Sequence, residues 1–405
     1  KWSNGNWSIP RFHAVMNNAT SKSPIQVALA LSLASAVALG FARFNYALML
    51  PAMHQDLAWN YTQAGSMNTA NALGYMFGAL LTASLGKRFG LARTFWVSII
   101  FVGFSMLFTG FASSFSLLLL FRLLAGFAGA TTFIVGATLA AQLAGSGRGG
   151  LILGIYFSGV GIGVFLAGLG LPQILERDFT SWREAWIVMG LVSFAFTFFS
   201  RNAALSISPP KAPSKTGSTT FYSPKLVPAI VGYFLFGFGY ITYITFVISL
   251  LRTSGVDGKG VATFWLIFGI ATMANSFIWS RLLDIAKGGQ ALAAALAIAA
   301  IGNVLPICST SNTSIYLSAI LFGGSALTVV TAATNIMRKS LPVGGWASGI
   351  ALVTIVFSIG QTLGPLVSGY LADRTASLTS GFILSASVLF SAALISLLQK
   401  EVRVD

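Results

Sequence analysis

Twelve apolar runs, each long enough to cross a bilayer, recur along this 405-residue chain and constrain its fold more than any other feature. They cover approximately 25–53, 62–86, 92–112, 115–143, 149–173, 184–202, 225–251, 261–285, 290–308, 313–338, 346–371 and 379–399. Because 55% of the residues are hydrophobic and only 8% are charged, a soluble domain of this size is excluded. The sequence therefore predicts an all-α membrane protein with twelve transmembrane helices.

The basic residues are distributed unevenly between the two sides of the predicted membrane. With a cytoplasmic N-terminus, 17 of the 24 Lys and Arg residues lie on the cytoplasmic side and 5 on the other, with 2 inside the membrane. This asymmetry predicts that both termini are cytoplasmic. We interpret the net charge of +15 as this bias together with contact with anionic lipid, and not as a nucleic-acid surface.

A Ser- and Pro-rich stretch between Arg201 and Pro228 divides the runs six to six. The predicted units are an N-terminal tail (1–24), an N-terminal bundle (25–202), a linker (203–224), a C-terminal bundle (225–400) and a C-terminal tail (401–405). An offset of about 200 residues pairs Gly149 with Gly349, and after one insertion Gly163 with Gly364. This pattern indicates a duplication, which favours transport by rocking one half against the other.

Two arginines, Arg43 and Arg122, lie within apolar runs, whereas no Asp or Glu lies in the interior of any run. A guanidinium is costly in hydrocarbon, so the pair predicts a water-filled cavity and an anionic ligand. We expect Arg43 to bind a carboxylate or phosphate-like group. Arg122 has two alternative roles. It either binds the same kind of group, or it binds backbone carbonyls and holds helices together.

Other polar side chains recur at helical spacing within the runs, so that they share helix faces. The further candidates for substrate binding are Tyr46, Asn71, Tyr75, Tyr240, Tyr243, Asn275, Thr331, Asn335 and Gln361. The alternative for each is an interhelical hydrogen bond worth about 0.6 kcal/mol.

Several of these residues lie in motifs that resemble the major facilitator superfamily. The stretch from Arg122 through Gly126 to Ala130 resembles its R-x-x-x-G-x-x-G element. The stretches Gly40 to Tyr46 and Gly360 to Arg374 are similar to its YbfB/YjiJ-like branch. The resemblance implies two six-helix bundles related by a pseudo-two-fold axis, in a bacterial inner membrane. Conformational or gating roles are predicted for Gly126, Gly163, Asp284, Gly364 and Pro365.

The predicted function is secondary active transport of a small organic anion, with a carboxylate as the expected group. Proton or ion coupling, or anion exchange, would drive it. An enzyme is not expected, since the sequence contains no catalytic triad, intramembrane carboxylate pair or nucleotide loop. Neither a cofactor nor a metal is expected, and the protein is predicted to be a monomer. The alternatives are a proton-coupled exporter of hydrophobic, drug-like compounds and a non-transporting sensor.

Overall fold

The computed structural model describes residues 23–143, 149–207, 224–342 and 345–402. These residues form long helices joined by short connections, with no strand among them. The helices are α1 (Pro24–Asp56), α2 (Tyr61–Phe89), α3 (Leu91–Phe111), α4 (Phe115–Leu143), α5 (Gly149–Leu175), α6 (Trp182–Leu205), α7 (Val227–Thr253), α8 (Gly258–Ile278), α9 (Gln290–Cys308), α10 (Asn312–Ser340), α11 (Trp346–Thr375) and α12 (Leu378–Leu397). A short helix, Ser280–Ile285, connects α8 to α9.

Eleven of the helices are long and apolar enough to cross a membrane. The other, α2, has 29 residues and spans about 44 Å at 1.5 Å per residue, which also suffices. It is more polar because it carries Asn68 and Asn71, both buried against neighbouring helices. Large apolar side chains such as Phe101, Phe198 and Leu394 are exposed on the outside of the bundle, as lipid contact requires. The predicted twelve-helix membrane fold is confirmed.

The first helix changes its winding in the middle. Ala36–Phe44 is π-helical, and the Asn45 N–H bonds to the Gly40 carbonyl five residues earlier at 3.1 Å. π-Helical turns cost stability and frequently occur at functional sites, since they reorient a side chain. Here the turn carries Arg43.

Glycines allow helices to approach closely within and between the halves. A Cβ on Gly163 would lie 3.0 Å from Gly40 Cα, where α5 crosses α1. A Cβ on Gly126 would meet the Asn71 carbonyl on α2, and one on Gly364 would meet the Phe238 carbonyl on α7. These glycines lie at helix crossings, and their role in conformational change stays a prediction.

The two sets of six helices meet mainly through α2 with α11, α5 with α8 and α1 with α7. By contrast, α4 and α10 pack almost entirely against helices of their own set. The boundaries of the predicted bundles stay a prediction. Most of the predicted N-terminal tail and linker, and residues 403–405 of the C-terminal tail, lie outside the described residues.

At one end of the bundle, a carboxylate of one set of six helices bonds to a helix N-terminus of the other set. Asp373, at the end of α11, accepts hydrogen bonds from the backbone N–H groups of Tyr61 (2.8 Å) and Thr62 (2.9 Å) at the start of α2. We call this the Asp373 end. At the opposite end, the basic end, Lys87 and Arg88 terminate α2, and Arg338 and Lys339 terminate α10.

Candidate functional site

Arg43 lies at the junction of the two halves and is only 3% exposed. Its guanidinium donates a hydrogen bond to Oε1 of Gln361 on α11 and stacks on the Tyr75 ring, 5.0 Å from the ring centroid. Among the described residues its Nε has no hydrogen-bond partner, and no carboxylate lies within 4 Å. A neutral amide is thus the acceptor for a permanently charged group with five N–H donors. The site therefore has a surplus of positive charge.

Gln361 is completely buried and is also only partly bonded. Its oxygen accepts from Arg43, whereas its Nε2 has no partner in the described part of the chain. The Ser358 hydroxyl, one turn earlier on α11, is buried without a partner too. Buried donors without acceptors are costly, so these groups are suited to a ligand that brings oxygen acceptors.

An aromatic cluster flanks this polar pair. Tyr240 on α7 packs edge-on against Phe44, beside Arg43, at 6.1 Å between centroids, and also contacts Phe357, one turn before Gln361, at 6.2 Å. Tyr233 stacks on Phe357 at 4.9 Å. The site thus combines one cation, one amide and several flat apolar faces.

Arg122 occupies a different environment and has two hydrogen-bond acceptors where Arg43 has one, although its Nε also has no partner among the described residues. Its guanidinium donates to the Ala42 carbonyl on α1 and to Asn68 Oδ1 on α2 at 2.8 Å. It also lies over the rings of Tyr46 (4.9 Å) and Trp186 (5.4 Å). These contacts connect α1, α2, α4 and α6. They are the kind of contact expected if Arg122 ties helices together, which is one of its two predicted roles.

Three of the other predicted residues contribute to helix packing. The Tyr46 hydroxyl donates to the Ala64 carbonyl at 2.7 Å, and Asn71 Nδ2 donates to the Arg122 carbonyl at 3.1 Å. Tyr243 stacks on a neighbouring ring at 3.7 Å and shares a hydroxyl hydrogen bond with a serine of α10.

None of the remaining predicted binding residues has a hydrogen bond to Arg43 in the described part of the chain. Asn275 Oδ1 accepts from a threonine of α10 at 2.8 Å, and its buried Nδ2 has no partner among the described residues. Thr331 is exposed and bonds within its own helix. Asn335 lines a cavity at the basic end, and Asp284 is exposed in the short connecting helix. The structure therefore brings together Arg43, Tyr75, Tyr240 and Gln361, while Pro365 packs against Gly65 of α2.

Two polar links between helices involve residues outside the predicted set of substrate-binding residues. Asn68 joins Arg122 to Thr245 on α7, to which its Nδ2 donates at 2.7 Å. Trp265 on α8 donates from Nε1 to Asn45 Oδ1 at 2.9 Å. The sequence places Asn68 on the same polar helix face as Asn71, where its amide is expected either to orient a ligand or to bond between helices. Nothing in the sequence around Trp265 distinguishes it from the other tryptophans in apolar runs.

No group of three or more His, Cys, Asp or Glu side chains suited to a metal ion occurs in the described ranges. The contacts of Arg43 are suited to recognition through charge, hydrogen bonds and stacking.

Similar solved structures share this architecture. The nucleoside transporter NupG aligns with a TM-score of 0.68 at 13% sequence identity, covering 92% of this chain and 96% of that one. A bacterial homologue of the human lysosomal transporter Spinster, solved inward-facing and occupied, aligns with a TM-score of 0.67 at 16% identity, covering 93% and 95%. At these identities the likeness concerns the fold alone.

Sequence relatives are transporters as well. The purine ribonucleoside efflux pump NepI of Shigella dysenteriae serotype 1 (strain Sd197) is 27% identical over 357 residues, covering 86% of this chain and 88% of the pump. Monocarboxylate transporter 11 of Homo sapiens is 26% identical over 367 residues, covering 84% and 74%. The family model for the uncharacterised MFS-type transporter YbfB matches residues 35–397. The chain therefore belongs to the YbfB-like family of major facilitator superfamily membrane transporters.

Proposed function

We propose that this transporter moves a small organic anion, recognised through a carboxylate, by alternating access. The observation that carries the proposal is the buried Arg43, whose charge is met by the neutral Gln361 amide at the junction of the halves. A carboxylate would supply the acceptors that this pair lacks, in charge-assisted and bidentate hydrogen bonds. The 26%-identical monocarboxylate transporter is consistent with this substrate class.

The position of the pair connects binding to movement. Arg43 belongs to α1 and Gln361 to α11, so a carboxylate held by both would favour the arrangements in which the halves stay close at that level. A ligand shifts a conformational equilibrium only by its difference in affinity between the states. Such a difference exists here, because a carboxylate can bridge Arg43 and the Gln361 Nε2 only while α1 and α11 stay close. Coupling to a proton or ion, or exchange against a second anion, would supply the driving force.

We further propose that the protein is a monomer in the inner membrane of a bacterial cell. Its basic end would face the cytoplasm, where both termini would lie. The clustering of Lys and Arg at this end agrees with the positive-inside rule. In this orientation, the Asp373 contacts between the halves lie on the outer side.

A purine nucleoside is the second candidate substrate. It is favoured by the aromatic cluster around Tyr240 and by the unpartnered Gln361 amide, which together could stack and hydrogen-bond a base. The efflux pump at 27% identity is described as acting on purine ribonucleosides. This candidate leaves the charge of Arg43 without a counterpart, so we place it second.

The two candidates are distinguished by a melting-temperature screen of the purified protein with aliphatic and aromatic monocarboxylates and with purine ribonucleosides. Bound ligand at free concentration c stabilises the folded state by RT ln(1 + c/Kd), so a substrate class is visible as a melting temperature that rises with ligand concentration. We expect carboxylates to raise the melting temperature. A shift with nucleosides alone would replace the first candidate by the second.

Uptake into proteoliposomes then tests the role of Arg43. Arg43→Ala removes the charge and is expected to weaken substrate binding by about 3 kcal/mol, or about 150-fold. Arg43→Lys should lose most of the activity, because the planar fork is absent. The matched control is Arg88→Ala at the basic end, where the side chain stacks on its neighbour Phe89. Full transport by a well-expressed Arg43→Ala would refute the proposal.

A further inference from the structure

A cavity of about 440 Å³ lies at the basic end, away from Arg43. Its walls come from α9, α10, the connection between α8 and α9, and the segment that follows α12. All of its lining residues lie between Leu283 and Val402, in the second half of the chain, so it is not the path between the halves. None of the substrate contacts proposed above explains it.

The polar part of the cavity is suited to a phosphate group. Lys339 and Lys400 line it together with Asn335, Ser340 and Glu401. Lys339 donates one bond to the Leu283 carbonyl at 3.3 Å. Among the described residues, neither lysine has a carboxylate oxygen within 4 Å, so Glu401 neutralises neither by direct contact. The Asn335 amide and the Ser340 hydroxyl line the same space and can donate to phosphate oxygens.

The remaining lining is apolar, which distinguishes a lipid from a soluble anion. Leu283, Leu292 and Val402 line the cavity beside the lysines. Next to them in the chain, Ile285 is 66% exposed and Leu398 is 68% exposed, outside the packed core. A phosphate with an attached acyl chain could use both kinds of surface, whereas inorganic phosphate could use only the first.

The segment that carries Lys400 is held in place. The Gln399 carbonyl accepts from the Gly289 N–H at 2.9 Å, and the Gln399 side chain bonds to the Lys225 carbonyl (3.1 Å) and the Ala229 N–H (3.2 Å). Gln399 is 3% exposed. These bonds tie the end of α12 to the starts of α7 and α9, so the cavity has a preorganised wall.

We propose that this cavity binds the phosphate headgroup of an anionic membrane lipid. Basic pockets between transmembrane helices on the cytoplasmic side are suited to such headgroups, because the leaflet supplies negative charge and the helices exclude water. The site is independent of the transported substrate.

The test uses the delipidated full chain in detergent and follows its melting temperature during titration with three probes. These are phosphatidylglycerol, phosphatidylcholine and inorganic phosphate. We expect a saturable rise with phosphatidylglycerol, and a midpoint about fivefold higher for Lys339→Gln and for Lys400→Gln. Lys400→Gln lies after the last helix and keeps the test valid if Lys339→Gln does not fold.

Lys87→Gln serves as the control, since it removes a charge from the same end but outside the cavity. An unchanged midpoint for this variant supports the proposal. A midpoint raised as much as in Lys339→Gln and Lys400→Gln would show diffuse attraction to anionic lipid and overturn it. An equal rise with inorganic phosphate would identify a soluble-anion site instead, and an equal rise with phosphatidylcholine would remove the role of headgroup charge.

Discussion

Replacing Asp373 by Asn should loosen the closure of the Asp373 end. The carboxylate accepts from two backbone N–H groups at the first turn of α2, at 2.8 and 2.9 Å, and so joins α11 of one half to α2 of the other. Charge-assisted bonds of this kind contribute about 1.5–3 kcal/mol each when shielded from water. Because the contact is exposed, solvent screening lowers this to about 1 kcal/mol each.

The asparagine keeps one acceptor oxygen but loses the charge and the second oxygen. It also loses the favourable interaction of a negative charge with a helix N-terminus. The closed arrangement should therefore lose about 1.4 kcal/mol relative to the open one. That corresponds to a tenfold shift of the equilibrium toward opening at this end.

The shift can be measured as a distance distribution between spin labels on opposite halves at the Asp373 end. Labels at Gln55 and Thr375, which are both exposed, report it in a variant with Cys308 replaced by Ser. We expect Asp373→Asn to add or enlarge a long-distance population about tenfold over the parent.

Asp178→Asn is the matched control, because this carboxylate lies at the same end but bonds within its own loop, to the Thr180 N–H at 2.7 Å. Its distance distribution should equal the parent's. Identical distributions for Asp373→Asn and the parent, or an equal shift in the control, would show that the carboxylate does not hold the halves together.

Three further substitutions test the packing around the site. Arg122→Gln should lower the free energy of unfolding by about 3 kcal/mol, since it loses two buried charge-assisted bonds and leaves the Asn68 oxygen short of a donor. Trp265→Phe removes the bond to Asn45 and should cost about 1 kcal/mol. Gly126→Ala places a methyl group against the backbone of α2 and should cost about 1–3 kcal/mol.

Thermal unfolding in detergent measures all three, and Gly170→Ala is the control for the glycine, as its added Cβ would meet nothing within 4 Å. Wild-type stability with abolished transport in Arg122→Gln would assign that arginine to the substrate after all. Equal melting temperatures for Gly126→Ala and Gly170→Ala would contradict the close packing of α2 and α4. An unchanged melting temperature in Trp265→Phe would show that its bond contributes no net stability.

The sequence predicted the membrane fold because hydropathy is a local property. A run of about 20 apolar residues has the length of a membrane-spanning helix, which satisfies every backbone N–H and C=O within its own segment. Even α2 was predicted, although its polar residues lower its hydropathy below that of the other helices. The same locality identified Arg43 and Arg122 as costly charges in need of an explanation.

What each arginine does could not be read from the chain, because both are equally charged and equally embedded in apolar runs. Arg122 is surrounded by Ala42, Asn68, Tyr46 and Trp186, which come from three other helices. Arg43 is met by Gln361, which lies 318 residues away. Hydropathy and periodicity contain no information about such partners, since they describe one helix at a time.

The sequence by itself thus determined that this protein spans a membrane, and that it carries two arginines within its apolar runs. Only the tertiary structure decided that Arg122 bonds to two acceptors within its own set of helices, while Arg43 bonds to a single amide across the junction of the halves. The physical reason is that the cost of burying a charge depends on the residue alone, whereas its compensation depends on the acceptors that folding brings within hydrogen-bonding distance.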